Sequence, residues 1–540
     1  MLKRYAHNLS HTETSTIVMG KNYPCNVMEA FPGESFKITA KNLTRFMPQI
    51  APTMADVTIG IDTYVIPWRQ LFDKLGLDWD AYLTGGEDGS DTSVLPTITI
   101  PNTGIEPGGL LDFLGYPTNY MDPSTNQKVI VGAGLVLNAL PIVAYMHIIN
   151  ENYRDQNFVK KLDLTQYAAF AFGTYPYTDP TGTVSISNFA TDGLFPKAWN
   201  RDYFGRALGN TQRGPVARLP LGTTAPVITG SVEHRLGVTN QEQLKWVKST
   251  DGTHDTNQHI HVILANNGVT STTGNVATTS GIYPVPSNLY ADLSNASAAS
   301  IITFRLAARM QRFGEILQTS GARAVEFTMA MFGVRIPDAR VQRPIFCGSF
   351  RLPVIFSEVL QTSATSQTSP QGNLAGHGIT GGVNQPLHIK VIEHSYIMSI
   401  MHVMPRSQFQ NTVPKYLLRS TRWDIPNPIF QHVGEQPVLR EEIYPNSSSP
   451  TEAFGYVPRY SELSSIPSSL HGHMKDTFLH WTMARVYSSE PVLSAAWRYE
   501  APSNRSFAVP NADQMAVQIG FDIRARRVFA KNPTPGIHIV

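Results

Sequence analysis

Charge is scarce in this chain. Only 16% of its 540 residues are Asp, Glu, Lys or Arg, against roughly 25% in ordinary soluble domains. With 42% hydrophobic residues beside it, so thinly charged a surface is expected to be partly covered. Subunit interfaces are covered surfaces that lose charge, although a surface merely rich in Ser, Thr and Asn gives the same composition. Two cysteines, Cys25 and Cys347, are too few for a disulfide framework, and one bridge between them stays open. No eighteen apolar residues run together, so no transmembrane helix is expected. The opening MLKRYAHNLSHTETST has no apolar stretch of the kind an export signal needs. A formal charge of +2 and a pI near 8.3 leave no whole-chain electrostatic case for nucleic acid, so any such contact has to be local.

Catalytic signals are missing as well. Gly132-Ala133-Gly134 has Leu137 where a dinucleotide fingerprint needs its third glycine, and the pair Gly20-Lys21 has Ser15 where a P-loop needs its first. The glycine-rich run from Gly372 to Gly382 is followed by an extended stretch where a phosphate cradle would want a helix N-terminus, so it reads as a mobile loop. There is no nucleophile elbow and no zinc-protease motif. His259 with His261, and His471 with His473, are spaced to share a strand face, but neither pair has a third ligand in register. Asp73, Asp78 and Asp80 cluster in sequence, which does not test the separation a glycosidase requires. No cofactor, metal or catalytic residue is assigned.

What the chain does have is alternation and turns. Gly and Pro number 40 and 38 and are scattered throughout, which favours many turns over long helices. From Glu34 to Trp68 the sequence reads as strands, with Val57, Ile59, Ile61, Thr63 and Val65 as the buried side of one of them. Val391 to Met404 is apolar on both parities, as in a strand covered on both faces. Asp513 to Arg524 alternates again, with Met515, Val517, Ile519, Phe521 and Ile523 on one side. Helical spacing is confined to Asn138–Phe158, with Ile142, Met146, Ile149 and Tyr153 on one face, and to Ser300–Met331. In the second, Ile302, Leu306, Met310, Phe313 and Leu317 form a stripe flanked by Arg305, Arg309 and Arg312. Residues 84–91 read as a loop, and Thr229 to Ala298, rich in Thr, Ser, Asn and Gly, reads as an excursion from the main core. Strands at both ends with helices in the connections predict a mainly β protein, an eight-stranded antiparallel jelly roll whose first and last strands pair.

Two basic clusters are the candidate site. Arg524, Arg526, Arg527 and Lys531 crowd the end of the last strand beside Phe529, a mixture that can track a single-stranded backbone. Subunit salt bridges or a solvated tail explain the cluster equally well. Lys3, Arg4, His7 and His11 make a weakly basic and unstructured arm within residues 1–30.

Several strings resemble the major capsid proteins of microviruses, the gokushovirus-like group in particular. They are RIPDARVQRPIFCG at 335–348, SEVLQTS at 357–363, PQGNLAG at 370–376, RSTRWD at 419–424, GEQPVL at 434–439 and FGYVPRY at 454–460. Upstream, NALP at 138–141, Asn150-Glu151 leading to Arg154-Asp155-Gln156-Asn157, and RDYF at 201–204 belong to the same pattern. The resemblance runs from about Gly33 to Gly536, and the ending Pro535 to Val540 departs from it. It implies one jelly roll with long insertions containing a few helices. It further implies a T=1 shell of sixty copies around circular single-stranded DNA, assembled in the host cytoplasm with scaffolding and pilot proteins. Residues 229–298 then fall where such proteins carry a protrusion near the threefold axes, a place for a host receptor.

The reading is therefore a virion shell protein and no enzyme. One alternative puts function in the insertion, as a host-attachment or glycan-binding lobe. A β-rich glycan-active enzyme is the rival from another class, and it lacks paired carboxylates in any recognisable groove.

Overall fold

A computed structural model describes residues 4–84, 92–187, 189–212, 301–320, 341–360 and 374–531, with 329–330, 337 and short strand pieces between 227 and 291. The chain divides into two units, one made of Met1–Arg213 with Glu315–Val540 and the other of Gly214–Gly314. The loop expected at 84–91 lies outside the described residues beyond Thr84, as do His259 and His261.

Two antiparallel sheets form the framework of the larger unit. The strands in chain order are β1 (Tyr5–Asn8), β2 (His11–Ile17), β3 (Asn22–Ala30), β4 (Ser35–Phe46), β5 (Val57–Pro67), β6 (Ile345–Pro353), β7 (Ile355–Leu360), β8 (Leu374–Val383), β9 (Leu387–Lys390), β10 (Ser395–Pro405) and β11 (Met515–Arg527). In the first sheet β1 and β2 both pair with β11, β11 with β4, β4 with β8 and β9, and β8 with β7. The second sheet runs β6-β5-β10-β3. The first and last strands of the chain thus meet in one sheet, as the alternation predicts.

The N-terminal segment is a correction. His11 to Ile17 pairs along the whole stretch from Phe521 to Met515, and Tyr5 to Asn8 along Arg527 to Arg524. It is not a loose arm, because the backbone of β11 would otherwise present an unpaired edge.

Burial separates the two sheets. In β4 and β11 it alternates: Phe36, Ile38, Ala40 and Phe46 point into the same core as Met515, Val517, Ile519, Phe521 and Ile523, while every second residue faces outward. In β10 all residues are buried, as expected for a strand covered on both faces. β5 differs from expectation, since only Thr58 escapes burial. The cause is the long connection between β5 and β6. Its helix α1 (Leu140–Ile148) is buried at every position but Pro141, so the single apolar stripe anticipated there is too narrow. Helical geometry continues as one π turn, Ile149–Tyr153, that brings the Tyr153 hydroxyl within 2.7 Å of the Asp62 carboxylate on β5. Each large apolar side chain buried in this way stabilises by about 1.5–3 kcal/mol.

The glycine-rich run is another correction. From Leu374 onward it is the strand β8 and no loop. Glycine is required there by close approach: a Cβ on Gly376 would stand 2.4 Å from the Ala51 carbonyl oxygen, and one on Gly382 2.6 Å from Leu352. Cys25 on β3 and Cys347 on β6 occupy opposite edges of the second sheet and are free thiols, so the bridge left open above does not form.

Among its described residues the smaller unit has three antiparallel pairs nested one inside another. Val227–Thr229 pairs with Leu289–Ala291, Trp246–Val247 with Val285–Pro286, and Val262–Ala265 with Gly268–Ser271. The second predicted helix is described as α2 (Ile301–Ser320), and residues 321–328 of its expected span lie outside the described residues. Its Leu306, Met310 and Phe313 are exposed along with Arg305 and Arg309, so the stripe is not a buried face.

Candidate nucleic-acid interface

The outward face of the first sheet follows from the alternation of β4. Its exposed positions are Lys37, Lys41, Leu43 and Arg45, with Thr39 half-buried among them. The outward positions of β11 add Arg524 and Arg526, and β9 adds His388 and Lys390. Register places these side chains in rows. Arg524 lies opposite Lys37, which on its other side lies opposite His388, and Ser35 stands between Arg526 and Lys390. Along a strand, alternate residues are about 6.8 Å apart, and neighbouring strands about 4.8 Å. Lys37, Lys390, Arg524 and Arg526 therefore each sit within roughly a Debye length of a neighbour, so their fields add, while Lys41 and Arg45 follow along β4 in steps of about 14 Å.

Two carboxylates border the described part of this grid. Asp513 accepts from the Thr16 hydroxyl, and Asp522 accepts from the Ser10 hydroxyl at 3.2 Å and lies 3.7 Å from Arg524 Nε. An exposed pair of this kind is worth about 0–1 kcal/mol and leaves most of the positive field in place. At the edge, β1 and β2 contribute Asn8, Thr12, Thr14 and Thr16 to the same side, uncharged groups of the type that bond phosphate oxygens.

The sequence-predicted residues divide. Arg524 and Arg526 are exposed members of the grid, Lys531 is exposed just past the strand, and Arg4 is exposed near Gly33. Lys3 lies outside the described residues. Arg527 is placed differently. Its Nε donates to the fully buried Glu34 at 2.9 Å, its Nη2 to the Glu29 carbonyl at 3.1 Å, and its guanidinium packs over Phe31. Phe529 packs edge-on against Phe31 at 5.3 Å. Sequence reasoning missed Lys37, Lys41, Arg45 and Lys390. The available signal was the basic residue recurring at every fourth position through Ser35–Phe46, on the parity opposite Phe36, Ile38 and Ala40.

Among the described residues no three His, Cys, Asp or Glu side chains are grouped to hold a metal. His471 and His473 are not strand neighbours, because Gly472–Lys475 is a 3-10 turn; His473 contacts Asp476 at 3.3 Å and His471 contacts Ser469 at 3.0 Å. Asp78 caps a short helix by accepting from the amides of Asp80 and Ala81, and Asp73 pairs with Lys74. No described helix is long and apolar enough to cross a membrane.

A β framework with one sheet face buried under insertions and the other bare and cationic is the build of a structural protein that works through contacts with other macromolecules. The comparisons carry this further: the chain belongs to the family described as capsid protein (F protein), whose profile matches residues 1–537. It is 29% identical to the capsid protein VP1 of Bdellovibrio phage phiMH2K over 91% of this chain and 87% of that one. It is 26% identical to VP1 of Chlamydia phage 1, covering 99% and 96%, and 30% identical to VP1 of Spiroplasma virus 4, covering 98% and 94%. The resemblance to microvirus capsid proteins is borne out, and the protein is a major capsid protein and a component of the virion.

Proposed function

We propose that sixty copies of this chain close into a T=1 icosahedral shell around circular single-stranded DNA, with the bare face of the first sheet turned toward the genome. The carrying observation is the asymmetry of the sandwich. Long connections cover the outside of the second sheet, while the outward face of β4, β9 and β11 is open and holds Lys37, Lys41, Arg45, Lys390, Arg524 and Arg526. Such a face neutralises phosphate without reading bases, and its affinity falls with salt.

A jelly-roll reading is supported by the order β2-β11-β4-β8/β9 in one sheet and β3-β10-β5-β6 in the other. The chain passes from sheet to sheet between β2 and β3, β3 and β4, and β4 and β5, and β1 and β7 are additions to an eight-strand core. Assembly takes place in the host cytoplasm with scaffolding and pilot proteins. To residues 229–298, most of which lie outside the described residues, falls the contact with the host receptor that the resemblance implies.

The test replaces Lys37, Lys41, Arg524 and Arg526 together with Gln in full-length protein and compares particles. Shells should still form while encapsidated DNA drops several-fold. Binding of a single-stranded oligonucleotide to the subunit should lose about 0.7 in its log–log salt slope for each cation removed. Full DNA content and an unchanged slope would take this face out of the account.

A further inference from the structure

Among the described residues the greatest concentration of exposed apolar side chains lies between Tyr416 and Ile466. Tyr416, Leu417, Trp423, Ile425, Ile429, Val433, Leu463 and Ile466 are each more than 60% exposed. A polar hub ties the segments that carry these positions together. Glu462 receives Arg419 at 3.2 Å and Gln436 at 2.6 Å, and Gln436 in turn accepts from the Tyr460 amide at 3.1 Å. The Tyr460 hydroxyl both accepts from the Asn427 amide and donates to its carbonyl, at 3.1 and 3.2 Å. Asn427 also caps the 3-10 turn Pro428–Phe430 that holds Ile429 outward. Trp423 is braced by Phe430 at 6.2 Å and by the Arg422 guanidinium at 4.6 Å.

The hub fixes the backbone and leaves the apolar groups outside. That is costly in water, since a typical monomer's largest apolar patch is about 300–600 Å². Aromatic side chains offer about 150–250 Å² each, and aliphatic ones somewhat less. At the exposures above, the eight present roughly 1,000 Å², more than the ~800 Å² per partner of a standard stable interface. The apolar groups are aromatic and aliphatic, with the Arg422 guanidinium laid over Trp423, side chains of the kind that fill an interface core.

We infer that the surface carried by residues 416–466 is a contact between neighbouring copies of this chain, and that burying it drives subunit association. The inference rests on the shell reading: a subunit that must meet copies of itself is the one partner already required by the family, and the area matches what such a contact needs.

The experiment uses the full-length chain with Ile429→Ser and Ile466→Ser together, and separately with Ile429→Asp and Ile466→Asp, beside the unaltered protein and a Val94→Ser control. Val94 is exposed outside the region. Each sample is followed by sedimentation velocity and thermal unfolding. The expected result is an unaltered melting midpoint, as for surface substitutions generally, with large assemblies reduced at least tenfold in the Ser pair, absent in the Asp pair, and normal in the control. Assembly at the unaltered level in both pairs overturns the inference. So does normal assembly with loss of a different co-purifying protein, which would assign the surface to that partner. A midpoint lowered by many degrees in both pairs also overturns it, because the side chains would then belong to the subunit's own core. Unaltered protein that never associates would instead bring down the shell reading itself.

Discussion

Lys37 on β4 and Arg524 on β11 stand directly opposite each other across the sheet, both exposed. Like charges in this position destabilise a pair of strands by about 0.2–1 kcal/mol. A chain that needed only its own stability would have no use for them. Replacing Lys37 with Gln is therefore expected to raise the isolated subunit's stability by a few tenths of a kcal/mol at low salt, read from the urea midpoint, while weakening single-stranded DNA binding. A loss in both quantities would mean that Lys37 serves the fold.

Arg527 sits one residue from the exposed Arg526 but answers to a different partner. Glu34 is fully buried, and apart from Arg527 its carboxylate accepts from the Phe31 amide at 3.1 Å. Removing the guanidinium strands that charge, and breaking a buried pair costs about 3–5 kcal/mol. Arg527→Met should lower stability by an amount near the lower end of that range, because Arg527 keeps some exposure. DNA per assembled particle should stay as it was. A fall in DNA content at unchanged stability would return Arg527 to the genome-facing set.

These two arginines mark how far the sequence reaches. Alternation in Asp513–Arg524 puts Arg524 on the side opposite Met515 to Ile523, and the structure continues it to Arg526, because one face of β11 is buried and the period of two is unambiguous there. The same logic was available for β4, where Lys37, Lys41 and Arg45 share a parity, but pairing of β4 with β11 is a contact between distant parts of the chain. Without it the two halves of the grid stay separate. Arg527 was misjudged for a related reason: its partner lies almost five hundred residues away. The glycines of β8 look like loop residues until the backbone at Ala51 and the side chain of Leu352 appear beside them.

His147 in α1 gives the fold a defined acid limit. It is buried, its ring faces Gln70 Oε1 at 3.3 Å, and burial, then Lys74, Lys161 and Arg343, push its pKa down from 6.5 to about 3. His402 is also pushed down, by burial first and then by Lys197 and Arg351, although Asp62 lies 3.8 Å from it. The unfolded chain takes up protons on these rings below 6.5 while the folded chain does not. Stability is thus present above that pH and lost as pH falls. For His147 the loss is about 1.4 kcal/mol per pH unit until its folded value near 3. Denaturant midpoints at pH 7.5, 6.5, 5.5 and 4.5 should decline accordingly, and His147→Gln should flatten the profile. An equally steep profile in that variant would put the acid sensitivity elsewhere.

Gly376 and Gly381 separate close approach from chain entropy within one strand. The backbone of Gly376 exchanges hydrogen bonds with Gln49 at 3.0 and 3.1 Å, which presses it against Ala51 and Pro52. An added Cβ would meet backbone atoms at 2.4, 2.7 and 2.8 Å, and backbone cannot step aside as a side-chain tip can. Gly376→Ala should cost about 1–3 kcal/mol, as overpacking does. Gly381 is exposed, with nothing nearer than 3.6 Å to its Cβ position. Gly381→Ala should be neutral or stabilise by about 0.5–1 kcal/mol, because glycine surrenders the most freedom on folding. Thermal unfolding of both variants decides the matter. Equal losses at the two positions would mean that β8 tolerates no side chain on either face, and close approach to Ala51 would no longer explain its glycines.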